Sequence, residues 1–142
     1  MANNFRISVS TANRLADAFD DEINFGPQVA AMRILSGAQP ANPDTAESGT
    51  LLAGDILYSA TAFGAAAAGV LTAAGVPLSD ASADNGGTAG YFRMRNDNTG
   101  TPDDVADGEV GTSGADLNLN TTTITGSSTV TLNSQTVTMP GA

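Results

Sequence analysis

The sequence predicts a mainly β protein: an antiparallel β-sandwich or barrel-like domain of about seven to nine short strands with one N-terminal α-helix. Apolar and polar residues alternate with a period of two in several short segments, as in strands with one buried face. The chain carries 16 Gly and 6 Pro, so turns are frequent and long helices are disfavoured. One segment near the N-terminus has the apolar spacing of a helix.

The first nine residues predict an N-terminal arm that contains a short strand. Its apolar residues alternate with polar ones, namely Phe5, Ile7 and Val9. A helix over residues 10–24 follows, and either Ser10 or Thr11 can cap it through a side-chain oxygen. The apolar stripe of this helix recurs at intervals of four residues, namely Leu15, Phe19 and Ile23.

Four acidic residues occupy mainly the other side of the predicted helix, namely Asp17, Asp20, Asp21 and Glu22. They lie late in the helix, where the helix dipole disfavours negative charge. The cluster has two interpretations: a contact for an arginine-bearing partner, or a solvated face. The sequence favours the solvated face.

Residues 29–140 predict the β-domain. The strands are expected at residues 29–35, 51–58, about 69–76, 90–95 and 105–110. The 38–50 loop is polar and contains proline, the alanine-rich residues 63–68 predict a turn, and residues 77–89 predict a connection.

The stretch 111–140 is dense in threonine, and we expect much of the chain to cover one of its faces. Its apolar residues shift from even positions, at Val130 and Leu132, to odd positions, at Val137 and Met139. Because a slip of one residue exchanges the two faces of a strand, this change predicts a bulge or a break near Ser134 and Gln135.

The strand at residues 90–95 places Tyr91, Arg93 and Arg95 on one face. We expect this face to be exposed and to form the most basic spot of the chain. Two interpretations remain open. The arginines either meet acidic loops of a neighbouring copy or pair locally with aspartates of the next strand.

Composition excludes several classes of function. The chain has 142 residues, which suits a single domain over residues 1–142, and it has no Cys and no His. Disulfides, thiolate metal sites and imidazole catalysis are therefore excluded. The formal net charge is −10 with no Lys, so we expect no binding to nucleic acid or to an anionic membrane. The N-terminus lacks the apolar core of a signal peptide, and no run is apolar enough to cross a bilayer, which predicts synthesis in the cytoplasm.

The remaining residues do not predict an enzyme or a cofactor. Paired carboxylates occur at Asp103 with Asp104 and at Asp107 with Glu109, but in apparent turns without aromatic residues to form a cleft. No catalytic, cofactor-binding or metal-binding residue is predicted. Calcium is the one ion worth weighing, because several oxygen ligands lie close together, namely Asn96, Asp97, Asn98, Asp103 and Asp104. Their spacing does not fit the calcium-loop pattern, and turn chemistry explains the same residues.

Six short stretches are similar to a family of small virion structural proteins of tailed bacteriophages. They occur in the family's order, namely MRILSGAQPANP at 32–43, GTLL at 49–52, FGAAAAGV at 63–70, GYFR at 90–93, GTSGADLNLNTT at 111–122 and TVTMP at 136–140. The resemblance carries no catalytic motif. It implies a capsid decoration, or cement, protein that binds the major capsid protein on the outer surface of the shell.

The same resemblance, with the symmetry of a capsid, implies a homotrimer. The alternative is a tail, neck or fibre component, a class that includes modules that bind the host surface. The expected contacts are residues 1–5 and the 38–50 loop, since both are predicted to be extended and to become ordered only against a neighbour. The expected location is the virion.

Overall fold

The computed structural model describes residues 5–99 and 103–140. It confirms a mainly β fold with one N-terminal helix, α1 (Val9–Ile23). Ten strands follow α1 among the described residues, namely β1 (Ala31–Ser36), β2 (Leu51–Leu57), β3 (Val70–Thr72), β4 (Leu78–Asp80), β5 (Gly87–Arg95), β6 (Asp104–Gly111), β7 (Leu117–Asn118), β8 (Thr123–Ile124), β9 (Val130–Leu132) and β10 (Thr136–Thr138).

The main sheet has the strand order β2-β1-β5-β6-β7, with β8 paired to the beginning of β5. All of these pairs are antiparallel except β6 with β7, which is parallel. The nine-residue β5 is the longest strand, and it lies between β1 and β6. Its register places Arg93 beside Arg33 on β1 and Asp107 on β6.

A second layer consists of two short antiparallel ladders, β4 with β9 and β3 with β10. The first ladder contacts β2, and α1 contacts β3. The core between the layers is apolar and includes Met32, Ile34, Leu52, Ile56, Phe63, Leu71 and Met94. Residues 77–89 were predicted to be only a connection, but they contain β4 and the beginning of β5.

The N-terminal strand prediction is wrong for the described residues, while residues 1–4 of the predicted arm lie outside them. Residues 5–8 form no strand, and α1 already begins at Val9. The cap is Ser8, whose Oγ accepts the backbone N–H of Thr11 at 3.2 Å, rather than Ser10 or Thr11. The Ser8 hydroxyl satisfies a free amide of the first turn, so the helix begins one residue before the predicted position.

The buried face of α1 is also rotated from the predicted one. Leu15 is 48% exposed, whereas Ala12, Ala16 and Ile23 are fully buried. Phe19 lies at the edge of this face, with its ring centroid 6.2 Å from that of Phe63 in an edge-to-face arrangement. Small alanines allow the helix backbone to approach the second layer closely, so the alanine face is the one that packs.

The stretch 111–140 is not the centre of the fold. Its short strands lie at the margins of the main sheet and in the second layer, while β5 and β1 form the centre. The parity change near Ser134 and Gln135 is a break, because β9 pairs with β4 and β10 pairs with β3. Because β9 and β10 belong to different ladders, their buried side chains need not lie on the same side of one continuous strand.

Candidate functional site

The polar face of β5 differs from its prediction. Tyr91, Arg93 and Arg95 do lie on one face, but this face is not an exposed basic spot. The side chain of Arg93 is completely buried, and Tyr91 is buried beside it. Local pairing is the correct interpretation, because the acidic partners lie on β6 of the same chain.

Arg93 joins β5, β6 and the 38–50 loop. Its Nη1 donates to Asp104 Oδ2 at 2.9 Å and to the Thr45 carbonyl at 2.8 Å, while its Nη2 donates to Asp107 Oδ2 at 3.0 Å. Asp104 Oδ1 also accepts from Arg95 Nε at 2.7 Å. Burial lowers the pKa of Arg93, but the bond to Asp107 and the two carboxylate charges outweigh it and leave the pKa raised. The guanidinium therefore stays charged.

The 38–50 loop is ordered by its own chain, which contradicts the expectation that it needs a neighbour. The Tyr91 hydroxyl accepts the Ser48 N–H at 3.0 Å and donates to the Ser48 carbonyl at 2.9 Å. An ion pair of 3.2 Å joins Arg33 to Glu47. Gln39 Nε2 donates to Asp107 Oδ1 at 2.6 Å. These contacts fasten the loop across the face formed by β1, β5 and β6.

The predicted carboxylate pairs have different surroundings. Asp104 and Asp107 are both bound to Arg93, whereas Asp103 and Glu109 are exposed. Asp104 and Asp107 thus neutralise a buried guanidinium and hold a loop. Such a cluster stabilises a conformation and provides no pair of carboxyl groups facing a cleft.

The residues weighed for calcium make turn contacts. Asn96 Oδ1 accepts the Asp103 N–H at 2.9 Å, and Asp97 Oδ1 accepts the Thr99 N–H at 2.9 Å. Asp104 is directed to Arg93 and Arg95. In residues 5–99 and 103–140, no group of three or more acidic side chains converges. The oxygens therefore close the turn that the Asn and Asp residues predict, although residues 100–102 of that turn lie outside the described chain.

Two polar side chains of α1, and that of its C-terminal cap Asn24, bind the segment that precedes β3. Asn13 Oδ1 accepts the Gly69 N–H at 2.8 Å, and Asn24 Oδ1 accepts the Ala62 N–H at 2.9 Å. Asp20 Oδ1 accepts from Asn24 at 2.8 Å and from the Phe63 N–H at 3.3 Å. Asp20 is thus not part of a solvated face, whereas Asp17, Asp21 and Glu22 are exposed. The spacing of seven and four residues from Asn13 to Asn24 is a helical stripe that sequence reasoning missed.

Burial raises the pKa of Asp20, and its hydrogen bonds to Asn24 and Phe63 only partly offset that effect. The neighbouring charges of Asp21 and Asp17 raise it further. The ionised carboxylate is therefore less stable here than in water. The Asp20 carboxyl helps to hold α1 against residues 62–63, and its contribution to the free energy of unfolding depends on pH.

A second buried polar contact closes the break between β9 and β10. The Tyr58 hydroxyl donates to Gln135 Oε1 at 2.6 Å, and Gln135 Nε2 lies 3.5 Å from Met94 Sδ. Burial raises the pKa of Tyr58 far above its ordinary value, although the bond to Gln135 opposes this. The hydroxyl therefore stays protonated and acts as a structural donor.

The exposed large apolar side chains are concentrated near the N-terminus. Among the described residues, four of the five lie in the first 25 residues, namely Phe5, Val9, Leu15 and Phe25, and the fifth is Val76. Phe5 is 79% exposed and Phe25 is 77% exposed. We refer to these four exposed residues, which extend from the segment before α1 to the turn after it, as the N-terminal apolar surface.

An open groove of about 370 Å³ lies between β5, β6, β10 and α1. Its apolar lining consists of Phe19, Phe92, Met94, Ala106 and Val137. Asp107 and Asp116 line it as well, but the Asp107 carboxylate lies on the opposite face of β6, where it binds Arg93. We refer to it as the β10 groove.

Comparison with known proteins gives no relative: no family model, no curated protein and no solved structure matches the chain. Within residues 5–99 and 103–140, no helix has both the length and the apolar character needed to cross a membrane.

Proposed function

We propose that the chain is a non-enzymatic decoration protein of a tailed bacteriophage, which binds the major capsid protein on the outer surface of the shell as a homotrimer and stabilises it. The resemblance of the six stretches to phage virion proteins supports this role. The net charge of −10 without Lys also supports it, because an acidic protein is better suited to the outside of a DNA-filled shell than to the inside.

The N-terminal apolar surface is the observation that carries the proposal. Large apolar side chains that stay exposed within one short segment of the chain are candidates for contact with another protein. Phe25 is 77% exposed, and burial of its ring against the shell would stabilise the complex by about 1.5–3 kcal/mol. An assembly that repeats this contact many times gains stability from a small area in each copy.

The fastened 38–50 loop supports the same role. A decoration protein must present a fixed shape to a lattice, because any segment that becomes ordered on binding reduces the affinity. Arg93, Tyr91 and Arg33 hold the loop before any partner arrives. The surface of the free protein is thus already close to the shape that would bind.

The copy number of the chain in purified particles, relative to the major capsid protein, tests the proposal. We expect one copy per capsid subunit or a fixed simple fraction of it. A few to a few dozen copies per particle would instead identify a tail, neck or fibre component, and the decoration role would be rejected.

Binding of purified protein to shells that lack it tests the surface. Phe25→Ser should weaken binding by at least about tenfold, since each 1.4 kcal/mol of lost apolar contact is a factor of ten. Val76→Ser is the matched control, because Val76 is also exposed but lies outside the N-terminal apolar surface. Equal effects of the two substitutions would argue against this surface as the shell contact.

A further inference from the structure

Two features of the described chain complement each other but lie apart. The β10 groove combines apolar side chains with the carboxylate of Asp116, and residues 5–6 offer a largely exposed aromatic ring next to an exposed guanidinium. We propose that Phe5 and Arg6 of one copy bind in the β10 groove of a neighbouring copy. This inference rests on the proposed assembly role and names the contact between copies.

The size and the chemistry of the groove fit this occupant. A cavity of about 150 Å³ is enough to bind benzene, so a groove of about 370 Å³ can accept the Phe5 ring with its flanking backbone. Phe19 and Phe92 provide aromatic walls for edge-to-face contacts. The Asp116 carboxylate is exposed and accepts the Glu109 N–H at 3.0 Å, and it is the anion that attracts Arg6. The Asp107 carboxylate is already bound to Arg93 and Gln39.

The distribution of arginines agrees with this assignment. Arg33, Arg93 and Arg95 each form an ion pair with an acidic residue of the same chain. Arg6 and Arg14 are exposed and make no ion pair with any described residue. The N-terminal segment therefore carries the cations that remain for a partner, and the groove carries an exposed anion.

The geometry of α1 favours a neighbouring copy over the chain's own groove. Phe19 lies ten residues beyond Val9, which is about 15 Å along the helix axis. Residues 5–8 can span at most about 13 Å when fully extended. The arm would have to reverse along α1 to approach its own groove, and Phe5 is 79% exposed where it lies.

An arm that binds a groove elsewhere on the next copy makes a head-to-tail contact. Such contacts close into a ring when the rotation between copies permits it, which is compatible with the proposed homotrimer. One aromatic anchor and one ion pair cover much less than the roughly 800 Å² per partner of a stable interface. We therefore expect weak association in free solution and use a trapping experiment to detect it.

The chain has no Cys, so single cysteines can be introduced without background. Arg6→Cys and Asp116→Cys chains are mixed under mild oxidation, and mass spectrometry measures the mixed disulfide. We expect at least about tenfold more mixed disulfide than from Arg14→Cys mixed with Asp116→Cys. Docking of the arm in the groove raises the effective concentration of one cysteine near the other toward the millimolar range. Arg14 is a matched control, since it is the other exposed arginine without an ion pair.

Adding Phe5→Ala to the Arg6→Cys chain should reduce the mixed disulfide to the control level, while circular dichroism verifies that each variant is folded. Equal yields from Arg6→Cys and Arg14→Cys would overturn the proposal. So would a concentration-independent disulfide within single chains that carry both Arg6→Cys and Asp116→Cys, because the arm would then occupy its own groove. These measurements need no capsid, so their failure leaves the copy-number test of the decoration role unaffected.

Discussion

Replacing Arg93 by methionine should be among the most damaging single substitutions in this protein. The Arg93 side chain has no exposed surface, and Asp107 is only 4% exposed. Methionine fills much of the same volume but removes the three hydrogen bonds to Asp104, Asp107 and the Thr45 carbonyl. The Asp107 carboxylate then remains buried beside an apolar side chain.

The expected loss follows from the two components of the cluster. Breaking a buried ion pair by removing one partner costs about 3–5 kcal/mol, because the remaining charge has neither water nor a counterion. The pair of Arg95 with Asp104 is partly exposed on both sides, and such pairs contribute less than about 1 kcal/mol. We therefore expect Arg93→Met to cost several times as much free energy of unfolding as Arg95→Met.

Urea unfolding of the parent chain, Arg93→Met and Arg95→Met measures this difference. Thermal unfolding gives a second measure. In a domain of this size, each kcal/mol of unfolding free energy corresponds to about 3 °C in Tm, so Arg93→Met should lower Tm by roughly 10–15 °C. Hydrogen exchange should show lost amide protection in the 38–50 loop, above all at Ser48, whose N–H is bound by Tyr91. The double variant Arg93→Met with Asp107→Asn should recover part of the loss, since the unpaired buried charge is then absent.

Equal losses of unfolding free energy in Arg93→Met and Arg95→Met would refute this prediction, as would a loss below about 1 kcal/mol in Arg93→Met. In that case the cluster would be accessible to water and would behave as a surface ion pair. Unchanged protection of the 38–50 loop in Arg93→Met would show that Tyr91 and Arg33 hold the loop without it.

Three further substitutions test other contacts. Tyr58→Phe leaves the buried Gln135 Oε1 without its donor and should lower the free energy of unfolding in urea by about 1–3 kcal/mol. A loss within experimental error would mean that water replaces the hydroxyl. Gly90→Ala should cost about 1–3 kcal/mol, because the added Cβ would overlap the Gly37 carbonyl, whereas Gly64→Ala has space and should be tolerated; equal effects would contradict the close approach. Asp20→Asn should raise the urea midpoint at neutral pH, because the amide keeps an oxygen acceptor and removes the buried charge.

The stability difference between Asp20→Asn and the parent chain should depend on pH, and the direction of this dependence tests the raised pKa of Asp20. Because the folded-state pKa of Asp20 is raised above its ordinary value of 3.8, the stability that protonated Asp20 contributes is full below 3.8 and is lost as the pH rises through the folded pKa. The advantage of the variant should therefore shrink as the pH falls from neutrality toward 3.8. An advantage that grows toward low pH would refute the assignment.

Local sequence patterns predicted strands at 90–95 and 105–110, turn residues between them, and the side-chain faces of β5. The Asn- and Asp-rich turn between these strands needed no long-range information, because turn residues and a period of two act within a few positions. The candidate site was only half predictable. The sequence offered pairing of Arg93 and Arg95 with aspartates of the next strand as one of two interpretations. It could not reveal that Arg93 is buried, because Thr45 of the 38–50 loop, which binds it, lies 48 residues away in the chain.

The sequence by itself determined the fold class, the single N-terminal helix and the acidic, lysine-free surface, since composition and short-range periodicity are properties of the chain alone. Tertiary structure decided which face of α1 is buried, that the change near Ser134 and Gln135 is a break between two ladders and not a bulge, and how the 38–50 loop is held. Tyr58 and Gln135 meet across 77 residues of chain. Because burial and hydrogen-bond partners at such distances depend on the assembled layers, no local pattern specifies them.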